Sequence, residues 1–385
     1  MIPYGRQEIT PEDVRAVVDT LQSDWITQGP AIDRFEEALA AYCGVSHAVA
    51  VCNATAALHL ACAALDVGPG DIVWTSPNTF VASANCALYC GAKVDFVDID
   101  PRSYNMSPDR LEEKLVAAEN AAALPKVVIP VHFAGQSCDM RRIGELASRF
   151  GFKVIEDASH AVGGTYLGKP IGSCEHSDIT VFSFHPVKII TTGEGGMTMT
   201  QHPELASRMA RLRSHGITRD PSLMVGRPDG PWDYQQVELG FNYRMTDLQA
   251  ALGMYQLARL DDYVARRHSL RRRYDELLAP LPVRLPWQAC DAGSALHLYP
   301  IQVDQTRTEK RRLEVFEALR AAGVGVNVHY IPVHTQPHYQ RLGYRRGDFP
   351  VAEAYYANAI SLPMYPTLSV ADQDFVVEAL GEAFA

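Results

Sequence analysis

Short β-branched runs alternate with helical patterns through the first two-thirds of the chain, and no other feature limits the fold as much. The runs lie at 48–52, 72–75, 94–97, 127–131, 153–156, 179–182 and 196–200, with amphipathic stretches near 55–66, 79–90, 108–119 and 139–150. Parallel strands need a crossover rather than a tight turn. The alternation therefore predicts an α/β fold, with a mostly parallel central sheet covered by helices on both faces. Helical periodicity then runs from about Thr246 to Leu278, with Thr246 and Asp247 marking its start. The remaining chain reads as a smaller α+β unit, with strands at 297–303 and 324–329 and helices at 308–322 and 370–382. This divides the chain into an N-terminal arm and large domain over 1–250, and a bridging helix and small C-terminal domain over 251–385. The segment 215–245 is a long connection with few apolar runs, of the kind that often carries function.

Composition narrows the functional classes. A net charge of -10 argues against sequence-independent nucleic-acid binding, which needs a basic stripe. It leaves room for a local basic pocket. The opening residues Met1 to Arg6 form no apolar signal region, and no apolar run is long enough to span a bilayer, so no membrane partner is expected. The eight cysteines are scattered without a CxxC pair, several of them inside apolar runs. They read as reduced thiols of a cytoplasmic protein rather than as a disulfide or zinc framework.

Ligands of open parallel sheets bind beyond the carboxyl ends of the strands. Reactive residue types recur there: Asn53, Ala54 and Thr55, then His132, then Asp157 and His160, then Ser183, His185 and Lys188. Asp157 directly follows an apolar run, where a carboxylate needs a cationic partner or serves as a helix cap. Lys188 lies just past an apolar strand, where desolvation makes an amine nucleophilic toward an aldehyde. The small residues Asn53-Ala54-Thr55 at a strand-to-helix turn suit a phosphate. Phe80 either stacks on a planar ring or packs in the core. Gly163 to Lys169 fits GxxxxGK, but Pro170 stands where a P-loop needs a hydroxyl. No GxGxxG follows the first strand, and His329, His334 and His338 lack a metal-site pattern, so neither a nicotinamide cofactor nor a metal is expected.

Three motifs carry a resemblance. They are Asp157-x-x-His160, the string Ser183-Phe184-His185-Pro186-x-Lys188-x-Ile190-Thr191-Thr192-Gly193-Glu194-Gly195-Gly196, and Asn53-Ala54-Thr55. In order and spacing they resemble the DegT/DnrJ/EryC1/StrS family of sugar-nucleotide aminotransferases. The resemblance implies the type I fold of enzymes that use pyridoxal 5'-phosphate (PLP). On the matching positions, Lys188 corresponds to the Schiff-base lysine, Asp157 to the partner of the pyridinium nitrogen, and His160 to a residue beside the ring hydroxyl. Phe80 would stack on the ring, while Ala54, Thr55 and Ser183 would hold the phosphate. Asn242, in Gly240-Phe241-Asn242-Tyr243, matches an asparagine that completes the phosphate site from a second subunit, which implies a homodimer. Tyr4, Asp24, Trp25, Ile26, Thr27, His185, Asn327, Val328, His329 and Tyr330 fall in regions that contact the sugar nucleotide. Relatives with His at the lysine position act as dehydratases, so Lys188 favours transamination. The implied substrates are glutamate and a UDP-linked 4-keto-6-deoxy-N-acetylhexosamine.

Overall fold

The seven apolar runs become seven strands of one sheet. A computed structural model describes Met1–Ala385. Its central strands are β1 (His47–Val51), β2 (Ile72–Thr75), β3 (Lys93–Phe96), β4 (Val127–Ile129), β5 (Lys153–Asp157), β6 (Ile179–Ser183) and β7 (Gly196–Thr200). They lie in the order β1-β7-β6-β5-β4-β2-β3. Strands β2 to β6 run parallel, whereas β7 is antiparallel to both of its neighbours, β1 and β6. Two reversals restore direction, so β1 points the same way as β4, β5 and β6. Their carboxyl ends therefore share one edge.

β6 and β7 are buried at every position, as strands covered on both faces must be. On one face, helices Ala54–Ala64 and Ala82–Tyr89 pack Leu58, Leu60 and Cys86 against Val73, Ile155 and Val181. On the other, helix Pro30–Cys43 packs Phe35 and Leu39 against Phe182 and Met197. The C-terminal part builds a separate three-stranded antiparallel sheet from Val283–Arg284, Tyr299–Val303 and Ala359–Leu362. Helix Leu260–Leu278 joins the two cores: Leu260 and Tyr263 pack beside the large sheet, and Leu270, Tyr274 and Leu278 beside the small one. No helix is long and apolar enough to cross a membrane.

Several expectations need correction. The helix expected from Thr246 to Leu278 is two helices, Asp247–Leu257 and Leu260–Leu278. Arg259 leaves helical geometry between them (φ -109°, ψ 7°), and its guanidinium is drawn to Asp13 at 2.6 Å. The strand expected at 324–329 makes only isolated bridges, Ile2 to Val324 and Asn327 to Ser361. The N-terminal arm occupies its start, with Gly325 N donating to Ile2 O at 2.6 Å. Strand 127–131 stops at Ile129 because Pro130 has no N–H to continue the ladder. The helix expected over 79–90 begins at Ala82, which leaves Phe80 in the preceding turn. In the long connection, Ile217–Thr218 pairs with Gln235–Gln236 to close the base of the loop.

One cap ties distant elements together. Helix Pro30–Cys43 starts at Gly29 and has no side-chain cap of its own. The buried Asp247 supplies one, accepting from Gly29 N at 2.7 Å and Ala31 N at 2.9 Å. We expect Asp247→Ala to leave both donors unpaired and to lower the unfolding free energy by roughly 2–4 kcal/mol in urea denaturation, with a smaller loss for Asp247→Asn.

Candidate active site

The shared carboxyl edge opens into a cavity of ≈ 580 Å³. β5 delivers Asp157 to it, 4% exposed. No helix begins there, so the carboxylate is not a helix cap. Its Oδ2 accepts from Ser83 Oγ at 2.6 Å, and its Oδ1 accepts from Ser159 N at 3.1 Å and Ser159 Oγ at 2.6 Å. Neither serine stood out in the sequence. Ser159 could have been found from its spacing, since Asp157-x-Ser159 is an Asx turn. Ser83 is far away in the chain and carries no local signal.

β6 delivers Ser183, buried at the cavity wall, and the loop beyond it delivers Lys188. The loop is held by its own bonds. Phe184 N donates to Gly195 O at 2.9 Å, Thr191 Oγ1 to Phe184 O at 2.9 Å, and Gly193 N to Thr191 Oγ1 at 2.9 Å. Lys188 N donates to His185 O at 2.9 Å, while no hydrogen bond or ion pair engages its amine. Burial pushes the amine down to about 8, with Asp157 pulling weakly in the opposite direction.

β1 delivers the helix start. Asn53 Oδ1 takes the Ala56 N–H at 2.8 Å. The earlier N–H groups, those of Ala54 and Thr55, have no acceptor in the helix, and both residues line the cavity. Gly196 makes this possible. A Cβ on it would stand 2.6 Å from Asn53 C and 2.7 Å from Ala54 N.

Aromatic and imidazole rings close the remaining wall. Phe80 is 59% exposed at the mouth, which excludes core packing, and its ring lies 6.4 Å from that of Tyr330. His160 Nδ1 accepts from Ala134 N at 3.2 Å, and Nε2 lies 3.0 Å from the Tyr330 hydroxyl. Both nitrogens thus have partners within the chain, and His160 lines the cavity. His329 Nδ1 bonds Ser361 Oγ at 2.8 Å, and its ring lies 5.5 Å from Tyr4. Burial, then Lys188, pushes His329 down to about 3 and holds His160 well below the usual imidazole range. Asn327 and Val328 line the same wall, and His185 lines the cavity from an exposed position. His297, not anticipated as a site residue, is 4% exposed with its ring 4.5 Å from that of His160. In the sequence it stood as the first residue of the strand expected at 297–303.

Other expected residues lie elsewhere. Asp24, Trp25, Ile26 and Thr27 are exposed and do not line this cavity. Asn242 is exposed and bridges Ser214, also outside it. His132, at the end of β4, is buried away from the cavity, with Nε2 2.7 Å from Glu156 Oε2.

Comparisons with known proteins place this cavity in context. The model of the DegT/DnrJ/EryC1/StrS aminotransferase family matches residues 7–381. The chain is 43% identical over 384 residues to the spore coat polysaccharide biosynthesis protein SpsC of Bacillus subtilis, covering 98% of this chain and 96% of that one. It is 39% identical to the GDP-perosamine synthase of Caulobacter vibrioides (95% and 94% covered). It is 38% identical to the UDP-4-amino-4,6-dideoxy-N-acetyl-beta-L-altrosamine transaminase of Campylobacter jejuni (99% and 96% covered). The PLP form of the putative sugar aminotransferase Spr1654 from Streptococcus pneumoniae superposes with a TM-score of 0.88 at 32% identity, covering 99% of this chain and 98% of that one. The residues present suit that cofactor: free N–H groups at a helix start for its phosphate, a buried carboxylate for its ring nitrogen, and an unpaired amine for its aldehyde.

Attack on an aldehyde needs the neutral amine. Capture of PLP by the cofactor-free protein should therefore rise through a pH of about 8 and level off above it, rather than rising near the ordinary lysine value of 10.5. Asp157 opposes the downward shift, so Asp157→Asn should move the rise to lower pH. Stopped-flow absorbance across pH reads both midpoints.

Proposed function

We propose that this chain, which belongs to the DegT/DnrJ/EryC1/StrS aminotransferase family and is a PLP-dependent sugar aminotransferase, acts at C4 of a UDP-linked sugar. The amino group comes from glutamate. The acceptor is a UDP-linked 4-keto-6-deoxy-N-acetylhexosamine, and the product is UDP-4-amino-4,6-dideoxy-N-acetyl-β-L-altrosamine, for pseudaminic acid biosynthesis in the cytoplasm. The observation that carries the reading is the convergence in one cavity of an unpaired amine, a serine-held carboxylate and a free helix start. The likeness to the Campylobacter transaminase supports the UDP-sugar. The equally strong likeness to a GDP-perosamine synthase supports a second reading, a GDP-linked keto sugar.

When bound, PLP supplies the electron sink that stabilises charge at carbon. The residues supply the rest. The N–H groups of Ala54 and Thr55 and the Ser183 hydroxyl hold the phosphate, with Asn242 reaching in from the second subunit of a homodimer. Asp157 faces the ring nitrogen, and Phe80 covers one face of the ring. Lys188 Nζ takes the proton from Cα of glutamate and later returns one to C4 of the sugar. Tyr4, His185 and Asn327 to Tyr330 line the space for the sugar. Asp24 to Thr27 reach it from the other subunit.

Incubation with glutamate and each keto sugar, followed by NMR of the product, separates the two readings; amination of the GDP-linked sugar alone would overturn the first. We expect Lys188→Ala to lower kcat by roughly 10³-fold or more. Mass spectrometry after borohydride reduction should find no cofactor attached to that variant. An adduct that persists would remove Lys188 from its role. Mixing Lys188→Ala with Asn242→Ala protein should recover activity above either alone, because one hybrid site carries both native residues. Unchanged activity on mixing would contradict the shared site.

A further inference from the structure

Four imidazoles line the cavity, those of His160, His185, His297 and His329. Three of them are engaged. His160 lies between Ala134 N and the Tyr330 hydroxyl, His329 Nδ1 bonds Ser361 Oγ, and His185 Nδ1 accepts from Val187 N at 3.4 Å. The ring of His297 makes no hydrogen bond to the chain, although the residue is buried. Its Nδ1 is sealed without a partner. Its Nε2, equally without a partner, is not sealed, so it is the nitrogen that opens on the cavity. Burial first, then His160, Lys188, Arg267 and His329, holds this imidazole well below its usual range, so the ring is neutral. A neutral ring with its proton on Nε2 presents one N–H donor to the cavity. A donor in so dry a place is costly until an acceptor meets it, and the chain provides none.

Behind His297 stands a cation. Arg267, on helix Leu260–Leu278, is 1% exposed. Its Nη1 donates only to backbone carbonyls: Met364 O at 2.9 Å, Leu296 O at 3.1 Å and His297 O at 3.3 Å. Its Nε has no partner. Burial alone pushes the guanidinium down to about 10, with no carboxylate to pull it back, and it stays charged at neutral pH. A sealed cation without a counter-ion is costly, and it lends a positive potential to the surface in front of it. Apart from Lys188, no lysine or arginine lines the cavity. The wall formed by His297 over Arg267 is therefore the part of the cavity built to meet an anion.

We propose that His297 donates from Nε2 to the α-carboxylate of the amino donor, and that Arg267 is the positioning residue that holds His297 and charges the wall behind it. This rests on the proposed reading in which glutamate gives the amino group and Lys188 takes the proton from its Cα. The α-carboxylate is one bond from that Cα, so it lies close to Lys188, and Lys188 is close enough to His297 for its charge to act on the ring. The phosphates of a nucleotide sugar are attached at C1, across the sugar ring from C4, and stand farther from the amine.

The test follows the two half-reactions separately by absorbance: glutamate converts the PLP-loaded protein to its pyridoxamine form, and the keto sugar converts it back. His297→Phe keeps a ring and loses the donor. Its half-saturating glutamate concentration should rise by about tenfold or more, with that of the keto sugar unchanged. His297→Gln keeps an N–H donor and should lose less. Arg267→Met should weaken glutamate with the same selectivity, and Arg267→Lys, which keeps the charge, should recover part of the loss. Norvaline, which has the α-carboxylate of glutamate but not the side-chain one, should compete with glutamate, and His297→Phe should weaken it by the same factor. Equal losses in both half-reactions, a loss confined to the keto sugar, or competition by norvaline that His297→Phe leaves unchanged would each overturn the proposal. Independently of any variant, the 15N shifts of His297 in the PLP-loaded wild type should show the Nε2–H tautomer and move when α-methylglutamate, which has no Cα proton to lose, is added; an Nδ1–H tautomer or unmoved shifts would overturn the contact. A wild type that takes no amino group from glutamate would instead refute the donor in the proposed function.

Discussion

The cavity depends on an ion pair that does not form. Lys188 and Asp157 face the same space, and in an otherwise apolar setting a bare carboxylate would draw a bare ammonium to itself. A paired amine would stay cationic and could not attack an aldehyde. The carboxylate instead accepts from Ser83 and Ser159, and no ion pair joins it to the amine. The pull of Asp157 on Lys188 is then smaller than the desolvation that opposes it, and the amine falls to about 8.

The sheet brings the pieces together through its one irregular strand. An all-parallel arrangement would need a long crossover after β6. Instead the chain turns back through the loop 184–195, which holds no helix, and β7 returns antiparallel between β6 and β1. That loop holds Lys188, and the start of β7 is Gly196, which presses against the backbone of Asn53 and Ala54. The reversal therefore places the amine beside the free helix start. The glycines of Gly193-Glu194-Gly195-Gly196 do different things. Gly193 takes a left-handed turn (φ 80°), whereas Gly196 makes room for a close approach.

Much of this was legible in the sequence, and the rest was hidden for physical reasons. The seven strands announced themselves as apolar runs, and residues placed just after them met at one edge because parallel strands share a direction. Local pattern also marked the cap at Thr246. It could not show the break at Arg259, which answers to Asp13 far away in the chain, nor the failure of 324–329 to pair as a strand, which answers to the N-terminal arm. Ser83 and His297 escaped for the same reason, since their partners lie on other elements. Phe80 had two readings of equal weight from sequence, and its exposure at the cavity mouth excludes the core one.

Five residues that family likeness ties to the site stand apart from it in a single chain. Asp24 to Thr27 and Asn242 are all exposed and none lines the cavity. They are not scattered, however. Thr27 bridges Thr246, and Asp247 N donates to Ile26 O at 3.1 Å, only a few residues beyond Asn242. The two segments are therefore joined in one patch at Asp247, which also caps helix Pro30–Cys43. That patch does not line the cavity of its own chain. In the proposed homodimer it serves the other one. Asp247 would then hold a helix of its own subunit through its carboxylate and a wall of its partner's site through its backbone N–H.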